Sequence, residues 1–250
     1  MRVSAQLYTV RQVGPLEDQL RLVKTCGFED IETIGFHDLP PQAMIDQILQ
    51  SGLNVRSAHF DWEEFETRFD DILGFLEGVN CRVAVMPWLA AEQRPRALKE
   101  WAEMAGQLAE WAKRLAERDV QLAYHNHDFD LEGDPGNTPL DQILAHENIF
   151  WQPDIGWLAV SMPEPVALLR RYADRIVSVH AKDADPDGGL GDERWRDLGQ
   201  GVVDWEQTLD VLSGSRCTDL FVEHDESSDQ ALTLKTGRDV LTTMLSEGVR

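Results

Sequence analysis

Short runs rich in Val, Ile, Leu and Phe recur roughly every 25 to 40 residues along this chain, each followed by a longer amphipathic segment. Eight such runs are Val3–Leu7, Asp30–Ile34, Asn54–Ala58, Arg82–Met86, Gln121–Tyr124, Ile149–Gln152, Ile176–Val179 and Leu220–Val222. Between them the helical period is plain: over Ala97–Arg118, the residues Trp101, Ala105, Leu108, Ala112 and Leu115 share one face. Strands alternating with helices give a parallel sheet with right-handed crossovers. At 250 residues its natural closure is an α/β fold of one domain, a (β/α)8 barrel spanning 1–250. A doubly wound open sheet is the second choice. It is weakened because no Gly-x-Gly-x-x-Gly follows the first run and no Walker-type Gly-Lys-Ser/Thr occurs.

Composition narrows the partners. A formal charge of −22 repels a phosphate backbone and leaves too few Lys and Arg to release its counterions, so nucleic acid is excluded as an expected partner. The same charge, with no phosphate-cradling loop, argues against a phosphorylated substrate. No run approaches the roughly 18 apolar residues of a membrane span, and Met1–Leu7 enters a strand pattern instead of a signal sequence, so the expected location is cytoplasmic. Cys26, Cys81 and Cys217 are odd in number and lack a Cys-x-x-Cys, which fits apolar or surface thiols in a reducing compartment. Barrels of this size often pair, so a homodimer is expected, though no feature marks its interface.

Functional residues of such a barrel come from the C-terminal ends of different strands. Here those ends read Gln6, Glu32, His59, Trp88, His125-Asn126-His127, Asp154, His180 with Lys182, and Glu223. A lone His at a strand end is more often a hydrogen-bonded structural residue, but ligand-type residues at four consecutive ends are harder to dismiss. The set His125, Asp154, His180 and Glu223 carries two carboxylates, enough to neutralise one divalent ion. Mixed imidazole and carboxylate donors favour Mn, Fe, Co or Zn over Mg, which prefers an all-oxygen shell. His127 is an alternative to His125 as first ligand.

Seven segments occur in order: Gln6–Arg11, Ser57-Ala58-His59, Ala123–Phe129, Pro153-Asp154-Ile155-Gly156-Trp157, Val179–Asp183, Gly199–Trp205 and Val222-Glu223. Together they resemble the sugar phosphate isomerase/epimerase family of xylose-isomerase-like TIM barrels, in the AP endonuclease family 2 superfamily, which also contains keto-sugar and inosose dehydratases. The resemblance implies a metal between the ends of strands five to eight, which match His125, Asp154, His180 and Glu223. Many epimerases of that family carry a Glu at the first of these positions, working with the last-strand Glu as an acid/base pair. This chain has His125 there, and Trp157 where several relatives place a His, which implies a single metal.

A metal on a carbonyl and an adjacent hydroxyl stabilises the enediolate formed when the α-proton leaves. The candidate bases are Glu223, His127 and His59, and Lys182 is a candidate to hold a substrate oxygen or to pair with Asp183 or Glu223. Glu32 is a candidate for a sugar hydroxyl or for the Lys182 ammonium. Trp88, Trp157 and Trp195 are candidate walls against a sugar face, Trp195 from the long loop Asp183–Gln200, whose glycines 188, 189, 191 and 199 suggest a lid or a mobile segment. The segment Gly199-Gln200-Gly201 is expected to be a turn. The resulting expectation is a metal-dependent isomerase or epimerase of a keto-sugar or related polyol. Its rivals are a keto-sugar or inosose dehydratase, favoured by His125, and a non-catalytic sugar-binding barrel.

Overall fold

Eight strands lie parallel in one sheet of the computed structural model, which describes residues 1–247 apart from Pro186, Gly188 and Leu190. They are β1 (Arg2–Gln6), β2 (Asp30–Ile34), β3 (Asn54–His59), β4 (Val83–Met86), β5 (Gln121–His125), β6 (Ile149–Gln152), β7 (Ser178–Ala181) and β8 (Asp219–Val222). Neighbours follow the order β6-β5-β4-β3-β2-β1-β8-β7, with helices in the crossovers, so the fold is a (β/α)8 barrel. The helix Leu98–Ala116 buries Trp101, Ala105, Leu108, Ala112 and Leu115, the stripe expected from its period. The helix Pro41–Ser51 starts on a proline whose missing N–H costs nothing there and stops at Gly52, which takes the left-handed conformation. Among the described residues no helix is long and apolar enough to cross a membrane, and all three cysteines are buried and free.

The sequence places the seventh strand at Ile176–Val179, but the ladder runs through Ser178–Ala181. Proline explains the shift. Pro153 has no N–H to donate, so β6 and β7 are joined only by isolated bridges, Trp151 to Ile176 and Asp154 to His180. The bonds across this seam are Val177 N–H to Trp151 O at 3.1 Å and His180 N–H to Pro153 O at 2.9 Å. Asp154 and His180 are thereby brought into register.

Part of the barrel interior is apolar, with Val85, Ala123 and Val177 packed against Val83 and Phe150. The other part is polar. A bulge between Ile31 and Glu32 leaves Arg56 unpaired and sets Glu32 against Ser57. Arg56 then reaches Asp219 on β8 at 3.1 Å. The Glu32 carboxylate accepts hydrogen bonds from Gln6 Nε2 at 2.5 Å, from Gln152 Nε2 at 2.6 Å and from the Ser57 hydroxyl. Since Gln152 stands on β6, this last amide bond crosses the barrel.

Both ends of the segment Asp183–Gln200 form regular structure among the described residues. Asp183–Ala184 pairs antiparallel with Trp195–Arg196, and a short 3-10 turn occupies Gly191–Arg194, whereas Gly188 lies outside the described residues. The Asp183 carboxylate ties the segment down, accepting from Gly199 N–H at 2.9 Å, Val203 N–H at 3.2 Å and the Trp205 indole N–H at 3.0 Å. A Cβ at Gly201 would collide with the Asp183 carboxylate and the Ala184 carbonyl, so glycine is required at this turn.

Candidate metal centre

The β5–β8 ends converge as the sequence predicts. His125 ends β5, His180 lies within β7, and Glu223 follows β8 with its N–H on Ala181 O. Asp154 caps the helix Ile155–Ser161: its Oδ1 accepts the Trp157 N–H at 2.8 Å. That leaves Oδ2 to face His125 Nε2 at 3.8 Å and Lys182 Nζ at 3.4 Å. Asn126 fixes this corner, its side-chain oxygen accepting from the Trp151 indole at 3.0 Å and from Asp154 N–H at 3.2 Å.

Two donor clusters share His180. Potential ligand atoms of Asp154, His180 and Glu223 lie within 4.8 Å of one another, as do those of His59, His125 and His180. His127 joins neither, so among the described residues His125 is the better placed imidazole. His127 packs instead against Trp157, with ring centroids 5.3 Å apart, and its backbone N–H is held by Asp130 at 2.8 Å. Both His125 and His127 have a buried Nδ1 without a hydrogen-bond partner. Burial pushes both imidazoles well below their ordinary pKa, helped by His180 near His125 and by Lys182 near His127. They are neutral and able to act as ligand or base.

His180 bridges two carboxylates, with Nδ1 at 2.8 Å from Glu223 and Nε2 on Glu32. Burial alone would lower its pKa, but the Glu223 and Glu32 carboxylates outweigh that and raise it to about 10. The imidazolium therefore carries positive charge in the place where a bound cation would supply it. Asp154, fully buried, is pushed up to about 7 by loss of solvent despite Lys182 beside it, with Glu223 adding to the rise. Lys182 is 2% exposed and contacts Asp225 at 2.5 Å, Asp154 at 3.4 Å and Glu223 at 3.5 Å, and these carboxylates raise its pKa against the effect of burial. Among the described residues the carboxyl groups of Glu32, Asp154, Glu223 and Asp225 contact His180 and Lys182. The mixed imidazole and carboxylate donors and the orphaned His125 Nδ1 fit a divalent ion.

Three expectations need correction. Glu32 does not reach the substrate space: it has no exposed surface, and its oxygens are taken by Gln6, Ser57, Gln152, His59 and His180. It lies one layer beneath the ring and orients His180 and His59. Trp195 is no lid contact, being only 4% exposed behind Trp157 with the Lys182 ammonium 4.1 Å from its ring. A Cβ on Gly156 would stand 2.9 Å from Lys182 Cγ and 3.1 Å from Trp195 Cζ3, so this packing also depends on a glycine. Of the two expected partners of Lys182, Glu223 is in contact at 3.5 Å and Asp183 faces the loop instead; the closest partner is Asp225, two residues beyond Glu223 and absent from the sequence-derived set. Trp88, Trp157, His59, His125, His127, Lys182 and Glu223 all line one cavity of about 1010 Å³.

A family profile for xylose isomerase-like TIM barrels matches residues 20–244. The chain belongs to that family. Among its curated relatives, the rhizopine catabolism protein MocC of Rhizobium meliloti is 29% identical over 272 residues, covering 92% of this chain and 82% of MocC. An inosose dehydratase of Lactiplantibacillus plantarum is 25% identical over 190 residues, covering 67% of this chain and 62% of that protein. Solved barrels of the same shape include the IOLI protein with a zinc atom, at 16% identity and a TM-score of 0.77 over 99% of both chains. Another is a xylose isomerase-like barrel protein from Mycobacterium smegmatis in complex with magnesium, at 16% identity and a TM-score of 0.76 over 99% of this chain and 97% of that one.

Proposed function

We propose that this chain is a metal-dependent enzyme that removes the proton next to the carbonyl of a neutral keto-polyol and then expels the β-hydroxyl, a dehydratase reaction. The observation that carries the reading is the convergence of His125, Asp154, His180 and Glu223 near Lys182, with His125, Lys182 and Glu223 lining a cavity and Asp154 and His180 buried behind them. A divalent ion held by these four residues would polarise the carbonyl and acidify the neighbouring C–H. The two imidazoles among the donors favour zinc, manganese, iron or cobalt over magnesium.

The chain's own groups divide the remaining work. His127, a neutral imidazole lining the cavity, takes the proton and returns it to the departing β-hydroxyl, which leaves as water. Lys182, held by three carboxylates, donates a hydrogen bond to the oxygen on which charge develops. Trp157 shields the sugar face from water. Glu32 keeps the His180 ring turned so that Nδ1 faces the site.

Dehydration is preferred to isomerisation on two grounds. Inosose dehydratases recur among the curated relatives. His125 also stands where a second catalytic glutamate would be needed to serve the opposite face of the carbon. Isomerisation or epimerisation remains the second reading, since it shares every step up to proton loss.

The test begins with elemental analysis. Near-stoichiometric metal in the purified protein, lost in both His180→Ala and Asp154→Ala, is the expected result. Metal-loaded protein is then incubated in D2O with an inosose. A dehydrated product absorbing in the ultraviolet is expected; deuterium in unchanged or isomerised ketone with no water lost would select the second reading. Protein that binds no metal even when supplemented refutes both.

A further inference from the structure

The cavity is larger than a single polyol ring requires. Its volume of about 1010 Å³ sits at the top of the range of about 300–1,000 Å³ that encloses drug-sized ligands. Only one half abuts the donor ring. The other half reaches across the barrel mouth to the loop after β2, with His37 and Asp38, to Asp61 and Glu64 after β3, and to Trp88 after β4.

This far half has the properties of a binding surface. His37 Nε2 is buried and has no hydrogen-bond partner, a costly arrangement for a polar atom unless a ligand supplies one. Burial lowers the His37 pKa to about 4, so the ring is neutral and can accept as well as donate. His37 and its neighbour Asp38 both hold left-handed backbone, with φ of 51° and 57°, and strain of this kind persists where the surrounding structure needs a particular side-chain placement. Opposite them the Trp88 indole is 46% exposed, an apolar face at the cavity wall.

Charge restricts what binds. Asp38, Asp61, Glu64, Glu223 and Asp225 line the cavity, against the cations Arg68 and Lys182. Both cations are already paired, Arg68 with Asp71 at 3.0 Å and Lys182 with Asp225 at 2.5 Å. An anionic group would meet net repulsion here, whereas hydroxyl groups find acceptors on every side.

We infer that this far half is a subsite for a second ring, so that the substrate is a neutral polyol or sugar bearing an O-linked ring, not a lone polyol or a phosphate ester. The inference rests on the polyol reading above and adds the class of substrate. In this arrangement the reacting ring lies at the metal ligands, Trp88 packs on the face of the second ring, and His37 Nε2 hydrogen-bonds one of its hydroxyls.

The test is calorimetric titration of zinc-loaded protein. The single-ring probes are myo-inositol and glucose; the two-ring probes are galactinol, cellobiose and phenyl β-glucoside; inositol 1-phosphate is the charged probe. At least one two-ring probe should bind about tenfold more tightly than its single-ring counterpart, the gain of roughly one hydrogen bond plus partial ring burial. The phosphate should bring no gain. His37→Gly, which tolerates the left-handed backbone, and Trp88→Ala should each cut the two-ring to single-ring ratio by about threefold or more. A ratio near one for all three two-ring probes, or a ratio unchanged in both variants, overturns the second-ring subsite and leaves the polyol reading standing. Silence from every probe overturns both.

Discussion

Replacing Glu32 with glutamine preserves shape and removes one buried charge. The carboxylate accepts from the Gln6 and Gln152 amides, the Ser57 hydroxyl and the rings of His59 and His180. Whichever way the new amide turns, its NH2 faces an amide or imidazole donor, so at least one donor–donor conflict costs about 1–3 kcal/mol. His180 also loses one of the two carboxylates that stabilise its charge, and breaking a buried pair of this kind typically costs about 3–5 kcal/mol. Added together the two effects give a loss of about 4–8 kcal/mol, visible as a lower urea midpoint at unchanged slope. Metal affinity should fall about 10- to 100-fold, because the ring of a ligating histidine loses its orienting partner. Competition for zinc against a chelating dye measures this independently of turnover. A midpoint and a zinc affinity both within experimental error of wild type would refute the role given to Glu32.

In the metal-free protein the contribution of Asp154 to stability, read as the difference between wild type and Asp154→Asn, should fall between about pH 4 and 7. Asp154, whose folded pKa is raised to about 7 by burial, favours folding while protonated, and that contribution disappears as pH rises through 7. A divalent ion neutralises the same carboxylate, so the rise in Tm on adding zinc should be larger at pH 8 than at pH 5; an equal rise at both counts against Asp154 as a ligand. Gly201→Ala should destabilise the protein by about 1–3 kcal/mol and loosen the pairing of Asp183–Ala184 with Trp195–Arg196, since its Cβ meets the Asp183 carboxylate. Limited proteolysis would report the change, and wild-type resistance would show that the turn has room.

Periodicity made the fold readable. Apolar runs mark strands buried on both faces, and all eight lie where the sequence places them, except that Pro153 displaces β7 by two residues. The ligand types at strand ends were legible for the same reason, because strand ends in such a barrel point into one mouth. What could not be read was depth. Glu32 and His59 occupy the same kind of position in the sequence, yet a bulge and a cross-barrel network sink Glu32 beneath the mouth. Trp195 suggested an exposed lid because its loop is rich in glycine and charge, and only the Asp183 clamp reveals why it is buried. Asp225 and His37 carry no motif at all; their roles come from loops that fold back on the mouth from separate strands.

The break in the ladder at Pro153 has a mechanical consequence. Seven of the eight inter-strand junctions are ladders, one of them bulged, and the eighth is a seam held by isolated bridges. Asp154 and His180 stand on opposite sides of that seam. An ion that ligates both would be a clasp as well as a cofactor, reinforcing the weakest junction of the sheet. Opening of the cylinder and release of the ion then become one event, so each resists the other in proportion to the binding energy.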